Sequence, residues 1–224
     1  MSSSPTDTSG IVRDGVAVGV ATGAYGLSFG AIAVTSGLSV AQACALSLLT
    51  FTGASQFALV GVVAAGGAPL SGAATSLLLG TRNALYGLRL APILAWTGWR
   101  RVTAAHLVID ESTAMSVTRD STEAARTGFL SAGVSVFLLW NLATLLGALA
   151  GESLGDPADL GLDAAVGGAF LALLWPRLHT RANQVVAVLA AAVALGVVPV
   201  TAAGVPVLAA GAVALMVGVL RRTR

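Results

Sequence analysis

A single arginine, Arg82, lies near the middle of an otherwise apolar run from about Leu70 to Trp96. A guanidinium keeps its charge in any protein environment. Holding one at the centre of a hydrocarbon layer costs roughly 2.5–3.5 kcal/mol on insertion scales, so such a residue faces a partner, a cavity or a substrate. On a helix, Tyr86 and Arg89 follow Arg82 at i+4 and i+7 on one face, with Thr75 one position further along it. Arg89 is near enough to the helix end to snorkel, and Arg82 is not. A forked guanidinium matches a carboxylate. That leaves two partners open: the carboxylate of a bound small molecule, or Asp110 or Glu111 of the same chain, which would make Arg82 structural.

Three further groups carry polar chemistry. Thr52, Ser55 and Gln56 gather around Gly53 inside an apolar stretch. They serve either as a binding patch at a helix break, where freed backbone groups hold substrate, or as helix–helix hydrogen bonds. His106 and Asp110 stand at i and i+4 with Glu111 adjoining, a spacing that suits a proton relay if the segment is helical and embedded. The same cluster suits a solvated face at the membrane surface. Asn141 and Thr144 are one turn apart beside Trp140, where a polar contact between helices is the simpler reading. No metal-ligand spacing appears, and no cofactor motif. Ser55 lacks the last glycine of a Gly-x-Ser-x-Gly nucleophile turn and has no evident histidine partner, which argues against an intramembrane hydrolase and against an enzyme of any kind.

The elements that position these residues are membrane helices. Hydrophobic residues make up 56% of the 224 and charged residues 10%, against about 25% charged in soluble domains, and the mean hydropathy is +0.87. A span needs about 20 apolar residues, so the chain has room for roughly eight. The alternation of barrel strands is absent. The expected fold is an all-α polytopic transmembrane bundle of about seven embedded segments, with broken or re-entrant helices allowed for. Residues 1–14 form a flexible polar N-terminus and 15–224 a single integral-membrane domain. All 12 basic residues are arginine, so the lysine of a phosphate-binding loop is missing. Their scatter over loops argues against nucleic acid. The lone Cys44 cannot form an intrachain disulfide.

The first helix is expected over Val16–Thr35, where Gly19/Gly23 and Gly26/Gly30 are small-xxx-small pairs for close helix contact. The second runs over Val40–Ala65, interrupted around Gly53, and the third over Leu70–Trp96. Residues 100–126 read three ways: a polar span, a re-entrant hairpin or an interfacial helix. Phe129–Ala150 is a clear span, followed by an acidic loop over 151–163 and a short apolar segment, Ala164–Trp175. Ala182–Leu220 would be about 58 Å long as one helix, so Pro199, Gly204 and Pro206 mark a turn that makes it two. The positive-inside rule puts Arg119, Arg126, Arg177, Arg181 and the C-terminal arginines in the cytoplasm. If 102–118 spans, Arg100 and Arg101 lie outside, against the rule. If it does not, the N-terminal half inverts.

Together these residues resemble the AzlC family of branched-chain amino acid exporters. Phe51-Thr52-Gly53-Ala54-Ser55-Gln56-Phe57 is similar to its Gly-Ala-(Ser/Ala)-Gln-Phe signature. Arg82-Asn83-Ala84-Leu85-Tyr86-Gly87 with Leu90-Ala91-Pro92 is similar to its third-helix motif, and Asp110-Glu111-Ser112 to its Asp-Glu signature. Gly26-Leu27-Ser28-Phe29-Gly30 and Gly161-Leu162-Asp163 fit as well, in the family's order, over roughly residues 15–180. Asn83 departs from the pattern, because many members carry histidine there.

The resemblance implies the large subunit of a two-component exporter in the cytoplasmic membrane. It would work with a small hydrophobic AzlD-type subunit and move valine, leucine, isoleucine or a similar neutral amino acid outward, driven by the proton gradient. In that reading Thr52, Gly53, Ser55, Gln56, Arg82, Asn83, Tyr86 and Asn141 are candidate substrate-binding residues, and His106, Asp110 and Glu111 candidate proton carriers. The alternative is an accessory subunit without a transport path, whose glycine-rich first helix docks a partner.

Overall fold

The computed structural model describes residues 8–153, 171, 174–175, 178–202 and 204–222, and no strand occurs among them. The helices are α1 (Thr8–Gly23), α2 (Tyr25–Thr35), α3 (Val40–Leu49), α4 (Ala54–Ala64), α5 (Pro69–Leu94), α6 (Gly98–His106), α7 (Asp110–Val117), α8 (Thr122–Ser153), α9 (Arg181–Val197) and α10 (Val205–Arg222). Three stretches are long and apolar enough to cross a membrane: Thr8–Thr35, Thr122–Ser153 and Arg181–Val200. Val40–Leu49, Ala54–Ala64 and Val205–Gly218 are apolar but shorter. The 26 residues of α5 extend about 39 Å, and Arg82, Asn83 and Arg89 make that helix less apolar than the three. The acidic residues Asp156, Asp159 and Asp163, the Gly161-Leu162-Asp163 motif, most of Ala164–Trp175, and Arg177 and Arg224 lie outside the described residues.

Several boundaries differ from expectation: Val16–Thr35 is two helices parted at Ala24, and Phe129–Ala150 lies within the longer Thr122–Ser153. Helix α1 begins at Thr8 rather than Val16, because helical hydrogen bonding continues past the point where the apolar run stops. The expected second helix is two, α3 and α4, parted at Thr50–Gly53. The described residues fall into two compact units, one within Met1–Val34, Leu38–Thr52 and Gly80–Gly155, the other within Thr35–Gly37, Gly53–Leu79 and Asp156–Arg224.

In the first unit, α1 and α2 run alongside α8 in the same direction. A Cβ at Gly15 would collide with Ser131, at Gly19 with Ser135, at Gly23 with Leu139, at Gly26 with the Trp140 carbonyl and at Gly30 with the Thr144 carbonyl. From the α8 side, Gly147 meets the Leu27 backbone and Gly151 that of Ala31. The glycines thus let two backbones touch, as their spacing predicted. That face is occupied within the chain, so it is not the free docking surface that the accessory-subunit reading needs.

Beside an apolar core that includes Phe29, Phe129 and Val136, the packing buries hydroxyls and turns large apolar side chains outward. Ser47, Thr144, Ser112 and Ser116 are fully buried, while Val12, Val16, Val20, Leu130, Val134, Leu138 and Leu142 face outward. Lipid as solvent rewards outward leucines, which need no cover, while some inward hydroxyls pair, as Ser47 does with Thr144, and others, such as Ser116, do not.

Helices α6 and α7 form a hairpin against α8. Ala104 packs with Phe129, Gly133 lies against Leu107 and Ser112, and Gly128 against Met115. His106 makes an edge contact with Phe137, ring centroids 5.6 Å apart. The turn therefore lies beside Gly133–Phe137, about 17–23 Å along α8 from Thr122, near its middle. Arms of 9 and 8 residues are too short to cross a bilayer. Arg126 donates from Nε to the Leu94 carbonyl at 2.7 Å and from a terminal nitrogen to the Ala95 carbonyl at 3.3 Å. The end of α5 and the start of α8 are thus together, and 102–118 enters and returns at one end. His106 and Asp110 consequently do not share a helix, a correction to the i, i+4 reading. The Ser112 hydroxyl donates to the Leu107 carbonyl at 2.6 Å and accepts from the Ile109 N–H at 3.1 Å, competing with helical bonding and breaking the chain there.

In the second unit, α9 and α10 form the expected hairpin. A 3-10 turn at Val198–Val200 and Gly204, with φ +97° against Ser71 and Val62, reverse the chain. Among its described residues α9 has none buried.

Candidate functional site

The site is built around the end of α3. A helix ends with unpaired carbonyls and a partial negative charge, and inside a membrane water does not satisfy them. Here side chains do. The Thr50 hydroxyl and N–H both reach the Leu46 carbonyl, at 2.7 and 3.0 Å. His106 Nε2 lies 2.9 Å from the Leu48 carbonyl, and since a carbonyl only accepts, Nε2 carries the proton. The Thr52 hydroxyl donates to the Thr50 carbonyl at 2.8 Å. The Thr52 carbonyl accepts from an Arg82 terminal nitrogen at 3.3 Å.

The other terminal nitrogen of Arg82 donates to Asp110 Oδ2 at 2.9 Å. Of the two partners open to Arg82, its own chain supplies this one. The side chains are 24% and 27% exposed, so the pair is half-buried and reachable. Asp110 and Glu111 form the first turn of α7, where backbone N–H groups favour negative charge. Glu111 Oε1 accepts from the Thr22 hydroxyl on α1 at a long 3.5 Å. One cation and two carboxylates thus meet between a helix break and a hairpin tip. Around the break, Phe51 makes an edge contact with Phe137 at 5.1 Å, which sets its depth near the middle of α8.

The other expected residues take different places. Gly53, Ser55 and Gln56 start α4 in the second unit. Gly53 has φ +60° and ψ −94°, a conformation that side chains disfavour, and its N–H donates to Gln56 Oε1 at 3.1 Å. Gln56 is fully buried, and the Ser55 hydroxyl is buried without a hydrogen-bond partner. Tyr86 packs against the apolar cluster of Leu90, Leu94, Ala104, Val108 and Phe129. Asn83 is half-buried, with its carbonyl oxygen and the Arg82 Nε both buried and unpaired. Asn141 donates to Phe137 of its own helix at 2.8 Å and leaves its amide oxygen buried and unpaired. Thr144 makes the expected contact between helices, accepting from Ser47 at 3.3 Å. Thr22 is the member that sequence reasoning passed over; the only signal was a hydroxyl set between Gly19 and Gly23, on the face the glycines carry inward. No group of three metal-ligating side chains occurs among the described residues.

No curated protein and no solved structure matches this chain. The family described as AzlC protein matches residues 17–154, more than half of the chain. That stretch contains Thr22, the α3–α4 break, Arg82, Asp110 and Glu111, while the Gly161-Leu162-Asp163 likeness falls beyond it. By this match over more than half of its length, the chain is a member of the AzlC family, a family of membrane proteins related to branched-chain amino acid transport.

Proposed function

We propose that this chain is the permease subunit of a proton-coupled exporter for valine, leucine, isoleucine and similar neutral amino acids. It works in the cytoplasmic membrane with a small AzlD-type subunit. The observation that carries the reading is the half-buried Arg82–Asp110 pair at mid-depth, flanked by Glu111. An amino acid is a zwitterion. Its carboxylate replaces Asp110 on Arg82, and its ammonium group then faces Asp110 and Glu111. On the outer side a proton neutralises Glu111 and displaces the ammonium group, and Asp110 takes back Arg82. The proton leaves Glu111 on the inner side, so one enters as the amino acid departs. Selection among aliphatic side chains by an apolar pocket amounts to only about 1–3 kcal/mol per methylene.

The orientation follows from the hairpin. Arg100, Arg101, Arg119 and Arg126 gather at one end of the first unit, and the parallel packing of α1 on α8 brings Arg13 there too. The positive-inside rule makes that end, and the N-terminus, cytoplasmic. In a Cys44→Ser background, a membrane-impermeant maleimide should label Glu152→Cys in intact cells and Asp120→Cys only after permeabilisation. The opposite pattern would reverse the orientation.

Transport is tested by reconstituting the chain with its small partner in proteoliposomes. Valine should move against an imposed proton gradient, and a protonophore should stop it. Movement untouched by the protonophore would remove the proton from the mechanism, and no movement of any aliphatic amino acid would remove the exporter reading.

A further inference from the structure

A second polar feature lies away from Arg82, at the arginine-rich end of the first unit. A cleft of about 470 Å³ is lined by Trp96, Trp99, Arg100, Thr103 and Arg126, with Leu107 and Leu130 on its apolar side. The Arg126 guanidinium lies 5.6 Å from the Trp96 ring centre, and that of Arg100 lies 5.9 Å from the Trp99 ring centre. Two carbonyls at the end of α5 hold Arg126 in place, using two of its five N–H donors. No carboxylate lines the cleft. Arg126, held in place, and the exposed Arg100 are two cations on a lining without a carboxylate, and they call for an anion.

The surroundings say which anion. On α6, Trp99 is 72% and Val102 73% exposed beside Arg100 and Arg101. Tryptophan and arginine together mark the membrane–water boundary. Leu130 also lines a second groove of about 490 Å³, where Val12 and Val16 of α1 face Leu130, Val134 and Leu138 of α8. The charged cleft at the boundary and the apolar groove along α8 thus adjoin at Leu130, which lines both. That is the outline of a headgroup joined to an acyl chain.

We infer that this cleft and groove bind one anionic phospholipid, its phosphate on Arg100 and Arg126 and an acyl chain along Leu130, Val134 and Leu138. The inference requires only that the chain is embedded in a membrane, not that it transports amino acids.

The test is native mass spectrometry of the full chain in neutral detergent. Phosphatidylglycerol, phosphatidylcholine and inorganic phosphate are added in separate titrations. One phosphatidylglycerol should be retained per chain, and phosphatidylcholine should not. Arg100→Gln should weaken retention about fivefold, the effect of one basic residue at an anionic surface. Arg101→Gln, outside the cleft, should change it little. Leu130→Glu, which charges the shared wall, should weaken it as well. Equal retention of the two lipids, or equal effects of the two arginine variants, would overturn the site. Competition by inorganic phosphate with Leu130→Glu silent would make it a phosphate site and overturn the lipid reading. Because Arg126 also secures the end of α5, Arg100 is the variant to read first, with thermal melting as the check on folding.

Discussion

Arg82→Gln should lower valine transport about 10- to 100-fold, and Arg82→Gln/Asp110→Asn should restore the folded state without restoring transport. The single change removes a charge-assisted hydrogen bond to Asp110 and one to the Thr52 carbonyl. It leaves a carboxylate facing a neutral amide at mid-depth. Breaking a fully buried pair costs about 3–5 kcal/mol. Here the cost is smaller, since both side chains are about a quarter exposed. The double change removes the stranded charge and keeps two hydrogen-bonding side chains of nearly the same shape. A structural pair predicts that melting temperature and transport recover together. A substrate-binding arginine predicts that only the melting temperature does, with transport still down about 10- to 100-fold for the lost charged contact. Melting and proteoliposome flux, measured on the wild type and three variants, separate the two. Full transport in the double variant would end the carboxylate-binding role of Arg82.

The fold was legible where it depends on period and length. The expected spans Val16–Thr35 and Phe129–Ala150 fall within Thr8–Thr35 and Thr122–Ser153, and the long α5 and the hairpin turned at Pro199–Pro206 follow from apolar runs and their breakers. The glycine spacing foretold that α1 and α2 would pack closely, but not on which helix. The partner face carries the same small-xxx-small spacing, Ser131/Ser135 and Gly147/Gly151 on α8, but spacing alone does not pair one such face with another.

Residues 100–126 stayed open among three readings for a physical reason. Their composition suits any boundary-level helix, and what decides is a tertiary bond, Arg126 to the Leu94 and Ala95 carbonyls. The i, i+4 pairing of His106 and Asp110 assumed an unbroken helix. Ser112, three residues past Ile109, holds the chain in a turn instead. The site was legible in its charges, since Arg82 in an apolar run demands a partner. The choice of Asp110 over Glu111 was not, because neighbouring carboxylates on one turn differ only in where the hairpin aims them.

Gly30→Ala should lower the melting temperature more than an alanine substitution at any outward-facing glycine, although alanine is the better helix former. A Cβ at Gly30 would overlap the Thr144 carbonyl and come within 2.7 Å of the Ala148 N–H nitrogen. Both are α8 backbone atoms, which have no rotamer to yield. The helices must separate, and overpacking of this kind costs about 1–3 kcal/mol. The strain spreads, because Thr144 also takes the Ser47 hydroxyl of α3, and α3 leads into the break whose carbonyl Arg82 holds. Gly196→Ala is the control, since nothing lies within 4 Å of its Cβ position. There the change should raise stability by about 0.5–1 kcal/mol through backbone entropy alone. Opposite signs for the same chemical change, read as melting temperatures in one detergent, would establish that α2 and α8 are in backbone contact. A stabilising Gly30→Ala would mean that α2 stands off α8, and would loosen the frame that sets Thr22 beside Glu111.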